Sequence, residues 1–168
     1  DDTFVRLTGD LAGRRSAGMV EFQGGVSGVW TPSTSDPMSQ VGLGGDHPEA
    51  LHLTRFERSL PLPGYPAYFE FADQVGLLRG GLSLQIPLPV TPGRVRVEGL
   101  SAGLGGDVAE SSGVGSAGLR GDVRADLMFH SASEAGPLDL YVRAARPISD
   151  RDGLTEIRWY LGIGQGFR

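Results

Sequence analysis

Apolar and polar residues alternate along most of this chain. A β-strand sends successive side chains to opposite faces, so a period of two predicts strands with one apolar side. The clearest run sets Leu119, Val123, Ala125, Leu127 and Phe129 against Arg120, Asp122, Arg124 and Asp126. Next, Leu138, Leu140, Val142 and Ala144 oppose Asp139, Tyr141 and Arg143. The last strand puts Ile157, Trp159, Leu161, Ile163 and Phe167 on one parity. Glu156, Arg158 and Tyr160, then Gly162, Gly164 and Gly166, take the other. Upstream, Thr3–Leu11, Met19–Trp30, Leu78–Leu88 and Arg94–Leu104 alternate in the same way. Turn-like stretches separate them at Gly13–Gly18, Gly105–Gly118, Ser131–Gly136 and Arg146–Gly153, the last with an Asp-Gly hairpin signal. A long irregular region rich in Pro, Gly and Ser runs from about Thr31 to Asp73, and loops of that length are usually functional or disordered.

The pattern predicts about seven strands in up-and-down order. No insertion is long enough for the helical crossovers of a parallel sheet, so the fold class is antiparallel all-β. Composition agrees: of 168 residues, 27 are Gly and 11 are Pro, and only 39% are hydrophobic. The chain reads as one unit, residues 1–168, with the long loop 31–73. It opens directly into a strand-like segment with no signal peptide before Asp1, as expected of a trimmed product or the C-terminal part of something longer.

Charge narrows the function classes. The net charge is −5 and every one of the 15 positive residues is Arg. A nucleic-acid binder would present a basic face, so that class is set aside. With no Cys there are no disulfides or thiolate metal sites.

Alternation suits a soluble β-sandwich as well as a transmembrane β-barrel. The polar parity tips the balance toward the membrane. It sets Arg beside Asp or Glu at Arg120, Asp122, Arg124 and Asp126, at Asp139 and Arg143, and at Glu156 and Arg158. Such residues can neutralise one another across strands in an enclosed lumen. The apolar parity is nearly free of charge, as a lipid-facing surface requires. No uninterrupted apolar run approaches a membrane helix, which leaves barrel strands open.

Enzymatic signals are weak. His130, Ser131 and Glu134 are close in sequence, but neighbours along a strand point to opposite faces, so a polar strand end and turn is the expectation. His47 and His52 sit in the long loop near Asp46 and Glu49 without a specific metal spacing. No strand-to-helix unit follows Gly44-Gly45 or Gly105-Gly106, so neither is a phosphate loop. No catalytic residue, metal or cofactor is expected.

From Gly118 onward the residues resemble the C-terminal end of Omp85-type (bacterial surface antigen) outer-membrane barrels. The resemblance rests on Gly118-Leu119-Arg120, Gly136-Pro137-Leu138-Asp139-Leu140, Ala145-Arg146-Pro147-Ile148 and Leu161-Gly162-Ile163-Gly164-Gln165-Gly166-Phe167, in that order. Leu43-Gly44-Gly45 resembles the Gly-Gly that opens the family's long sixth extracellular loop. Leu62, Pro63, Gly64 and Tyr65 fall at its tip, and Gly81–Leu88 resembles the following strand. Pro63 stands where the family has an Arg that reaches an acidic residue of the barrel wall, with Arg55 and Arg58 nearby as candidate substitutes.

The resemblance implies a bacterial outer-membrane location and a role in membrane-protein insertion or polypeptide translocation. The implied partners are outer-membrane lipid, a polypeptide substrate, and further barrel strands from a larger chain or a homo-oligomer. It also implies that Trp159, Leu161, Ile163, Gly164, Gln165 and Phe167 carry the signal for barrel assembly. The family barrel has about sixteen strands against seven or eight here. A small structural anchor of a cell-envelope assembly and a soluble β-sandwich binding module stand as the alternative readings.

Overall fold

The computed structural model describes residues 7–31, 40–46, 59–67, 69–91, 96–113, 116–133, 136–148 and 153–164. They form β1 (Leu7–Ala17), β2 (Val20–Trp30), β3 (Val41–Leu43), β4 (Ser59–Leu60), β5 (Glu70–Ala72), β6 (Gln74–Val90), β7 (Arg96–Gly113), β8 (Ser116–Ser133), β9 (Gly136–Pro147) and β10 (Arg158–Gly164). Seven of these build one antiparallel sheet in the order β1-β2-β6-β7-β8-β9-β10. Once the segment between β2 and β6 is set aside, every strand pairs with its neighbour in sequence. The fold is therefore an all-β, up-and-down meander.

Local chemistry explains the connections. Ala17 pairs with Val20 across a two-residue turn, and Gly18 supplies the positive φ of 64° that a glycine-first hairpin turn requires. At the far end of β6 the ladder shifts register between Pro87 and Val90, because proline has no N–H to donate.

Four expectations need correction. First, the sheet is not closed into a barrel: among the described residues β1 and β10 are its two edges and do not pair with each other. Second, the strands outrun their apolar pattern. Gly13–Ala17 belongs to β1, Gly105–Gly113 to β7 and Ser116–Gly118 to β8. Small residues hide a strand from hydrophobic periodicity, while the backbone ladder continues through them. Third, the long region between β2 and β6 is not irregular throughout. It contributes a second sheet, β4-β3-β5, whose β3–β4 pair is parallel. Fourth, Glu156 precedes β10 and is exposed, so it is not part of a strand's inward row.

The two faces of the large sheet differ in kind. The face covered by the small sheet, here the inner face, holds a cluster of Val41, Leu43, Leu62, Tyr65, Ala72, Val75, Leu77 and Ala109 at the end where β2 gives way to the loop. Beyond this cluster the inner face is polar. The outer face carries Leu78, Leu82, Leu104, Val108, Leu119, Val123, Leu127, Phe129, Leu140, Trp159, Leu161 and Ile163, all exposed. Leu161 reaches 80% exposure and Leu104 63%. No second layer covers this face among the described residues.

Candidate functional site

Inner-face positions are fixed by strand parity and brought together by register. Asp107 on β7 and Asp122 on β8 are directly opposite, which alone would set like charges side by side. Each finds its own partner. Arg124 Nη1 lies 2.5 Å from Asp107 Oδ1, and Arg79 Nε on β6 lies 3.9 Å from the same atom. Arg124 Nε also faces Asp126 Oδ2 at 3.4 Å, and Arg143 Nε on β9 lies 2.5 Å from Asp126 Oδ1. Arg143 then pairs with Asp46 from the loop. Charges thus alternate from Arg79 through Asp107, Arg124, Asp126 and Arg143 to Asp46, across four strands and onto the loop. Asp107 is 1% exposed and Arg124 8%. Ions so buried persist only when paired.

Glycines make room for this row. A Cβ at Gly105 would sit 2.8 Å from the Gly80 carbonyl oxygen and 3.1 Å from Arg124 Nη2. The glycines that hid this part of β7 from the apolar pattern are those that let the Arg124 guanidinium lie against the backbone.

The loop tip docks onto the same face. Gly64 N–H donates to Asp122 Oδ2 at 2.6 Å, and Asp122 is fully buried. A Cβ at residue 64 would stand 2.5 Å from Asp122 Cβ and 2.8 Å from Pro147 N, so only glycine allows this approach. Tyr160 Oη on β10 donates to the Pro63 carbonyl at 2.7 Å. Arg79 Nη2 donates to the Pro61 carbonyl at 3.3 Å, and Tyr141 Oη donates to Asp46 Oδ2 at 3.2 Å. Leu62 and Tyr65 are wholly buried in the apolar cluster. Arg120 lies 3.6 Å from Glu70 Oε2, with its guanidinium 5.9 Å from the Phe69 ring centre. Of the predicted tip residues, Gly64 meets a predicted inner-face charge, Asp122, and Pro63 meets Tyr160, while Leu62 and Tyr65 join the apolar cluster. Where an arginine side chain was the expected link, the backbone N–H of Gly64 and the carbonyl of Pro63 make the contacts.

The last strand splits as its pattern predicts. Trp159, Leu161 and Ile163 face outward, and Arg158, Tyr160 and Gly162 face inward. Gly162 is required there, because the Tyr141 ring occupies the space a Cβ would need. Gln165 and Phe167 lie outside the described residues, as do Arg55, Arg58, His47, His52, Glu49 and Glu134. Among the described residues no three His, Asp or Glu side chains gather to hold a metal ion.

A second polar constellation lies at the opposite end of the inner face. His130 Nε2 is 3.0 Å from Ser101 Oγ on β7, and its Nδ1 is 3.1 Å from Asp139 Oδ1 on β9. Ser131 takes no part: its hydroxyl donates to the Leu138 carbonyl at 2.6 Å. Ser101, Asp107, Arg79 and Asp46 were not among the expected site residues. Asp107 and Asp46 fell in stretches read as loops. Ser101 carried one usable signal, the Gly99-Leu100-Ser101-Ala102-Gly103 spacing.

Compared with known proteins, the chain matches no protein-family model, no curated protein and no solved structure.

Proposed function

We propose that this chain forms part of the wall of a bacterial outer-membrane β-barrel of Omp85 type, with its long loop folded inward as a plug and a role in polypeptide insertion or translocation. The observation that carries the reading is the inversion of the sheet. Buried, paired charges line the inner face, and exposed aliphatic and aromatic side chains cover the outer one. A soluble sandwich buries its apolar face under a second sheet. Here the second sheet packs on the other side. On β6 the outward row from Gly76 to Ile86 spans roughly 34 Å at ~3.4 Å per residue. At the ~40° tilt of barrel strands this is about 26 Å along the membrane normal, close to the apolar band of such barrels. Gln74, Glu110 and Ser112 beside Trp30 then end the band with polar and amphipathic groups.

The docked loop argues for a wide barrel. A cylinder of about eight strands has room inside only for its own side chains. A loop with its own small sheet needs a larger circumference than seven strands enclose. This supports further strands beside β1 and β10 over a small self-contained anchor. Translocation rests on the resemblance in the loop tip and last strand.

Membrane extraction tests the first part. Expressed with an export signal, the full chain should stay with the membrane through a carbonate wash and dissolve only in detergent. Release into buffer would sink the reading. Cross-linking tests the second: a short bis-methanethiosulfonate joining cysteines placed at Asp46 of the loop and Arg143 of β9 should lock the loop and stop polypeptide insertion, and reduction should restore it.

A further inference from the structure

We infer that Ser101, His130 and Asp139 form a serine esterase site on the inner face, acting on carboxylic esters with small acyl groups. The three residues come from adjacent strands β7, β8 and β9, and register alone aligns them. Gly99 is opposite His130, and His130 is opposite Asp139. The geometry is that of a nucleophile, a base and a group that orients the base, with both links within hydrogen-bond reach. His130 is the catalytic base, Ser101 the catalytic nucleophile and Asp139 a positioning residue.

The surroundings fit an incoming ester. On the inner face of β7 both flanking positions are glycines, and a Cβ there would stand 3.0 Å from the Ile86 carbonyl oxygen at Gly99 and 3.1 Å from the Leu82 carbonyl oxygen at Gly103, so the space beside the buried Ser101 is narrow and suits only a small acyl group. The match to the Gly-x-Ser-x-Gly spacing is not a nucleophile elbow, since β7 runs straight through it with no strand-to-helix turn. Its use here is to let β6 and β7 approach closely beside Ser101. Met128 is opposite Ser101 on one side, an unbranched side chain that yields readily, and Gln85 is opposite on the other. Direct cross-strand neighbours have Cβ atoms about 4.5–5.5 Å apart, so the Gln85 amide, which here donates to Ser83 Oγ at 3.1 Å, would exchange that bond for one to an oxyanion formed at Ser101. The plug does not reach this end: Asp122, where the tip docks, is roughly 27 Å away along β8 at ~3.4 Å per residue. The side chains of His130 and Asp139 are 22% and 17% exposed.

The chemistry closes with water as the only co-reactant. Ser101 Oγ bonds to the ester carbonyl carbon while His130 Nε2 takes the hydroxyl proton. The tetrahedral oxyanion collapses, the bond to the alkoxy oxygen breaks, and His130 returns the proton to the departing alcohol. Water, deprotonated by the same nitrogen, then attacks the acyl-serine and releases the acid. Ser101 regains its proton. Asp139 holds the imidazole so that Nε2 faces Ser101.

The test uses the folded full chain, in detergent or in buffer, so it is independent of the membrane reading. A fluorophosphonate probe should lose fluoride and form one phosphorus–oxygen bond, on Ser101, located by peptide mass. Ser101→Ala should abolish labelling and hydrolysis of p-nitrophenyl acetate, while Ser131→Ala should leave both unchanged. Asp139→Asn should lower kcat by roughly 10²–10⁴ with KM little altered, a split that loss of structure would not give. Gln85→Ala should lower kcat by about 10²–10³. An unlabelled wild type, or equal labelling of Ser101→Ala, overturns the assignment. Should Ser101→Ala fail to fold, Ser101→Cys with an iodoacetamide trap replaces it. Alkylation of that cysteine at the rate of an unactivated thiol would equally overturn the proposal.

Discussion

Strand β8 offers the sharpest contrast in the molecule, because its two faces live in opposite environments. Leu119, Val123, Leu127 and Phe129 stand exposed on one side. Asp122 and Arg124, their neighbours in sequence, are buried on the other. In a soluble strand these roles are reversed. The sheet is organised around its charges: ion pairs and the docked loop hold the inner face, and the apolar face has no protein partner among the described residues. Stability on the inner side is a matter of pairing, and on the outer side of solvent.

Substitutions can break that contrast in graded steps. The largest effect belongs to Arg124→Met. It leaves Asp107 buried with only the more distant Arg79, and removing one partner of a buried pair costs about 3–5 kcal/mol. Urea unfolding should move by that amount, and Arg124→Met combined with Asp107→Leu should recover most of it. Next is Leu127→Arg on the outer face. In lipid vesicles it should destabilise by roughly 2–4 kcal/mol, as a charge at the bilayer midplane does. A neutral result in lipid would mean that this face does not meet the bilayer. Gly64→Ala should cost about 1–3 kcal/mol by forcing a Cβ into Asp122 and Pro147. Protease cutting within the loop should rise while the sheet stays intact. The smallest effect is Arg14→Met. Arg14 meets Glu21 at 3.4 Å with its side chain 62% exposed, and such pairs contribute about 0–1 kcal/mol. A large loss there would mean that the charges of this hairpin also sit in an enclosed space.

Much of the fold was legible in the chain. Seven strands, their order and the face of each alternating residue follow from local pattern, and the seven-stranded meander agrees. The inward set Asp122, Arg124, Asp126, Asp139 and Arg143 was readable for the same reason. Legibility failed wherever glycine and serine replaced the apolar signal. β7 looked as though it ended near Leu104, yet it continues to Gly113 and carries Asp107, the carboxylate that Arg124 requires. The loop tip could be named from its resemblance to a known motif. Its docking could not, because Pro63 removed the side chain expected to make the contact.

Alternation is a property of single strands, set by a backbone that turns its side chains over at each residue, so the sequence by itself determined which residues share a face. Register, closure and docking join residues far apart. Gly64 meets Asp122 across 58 positions, and Tyr160 meets Pro63 across 97. No local pattern encodes those distances. The tertiary structure alone decided that the charges form one continuous row, that the loop folds onto the inner face, and that Ser101, rather than Ser131, lies beside His130. The physical reason is common to all three: a pairing energy is realised only when two distant backbones are brought into register.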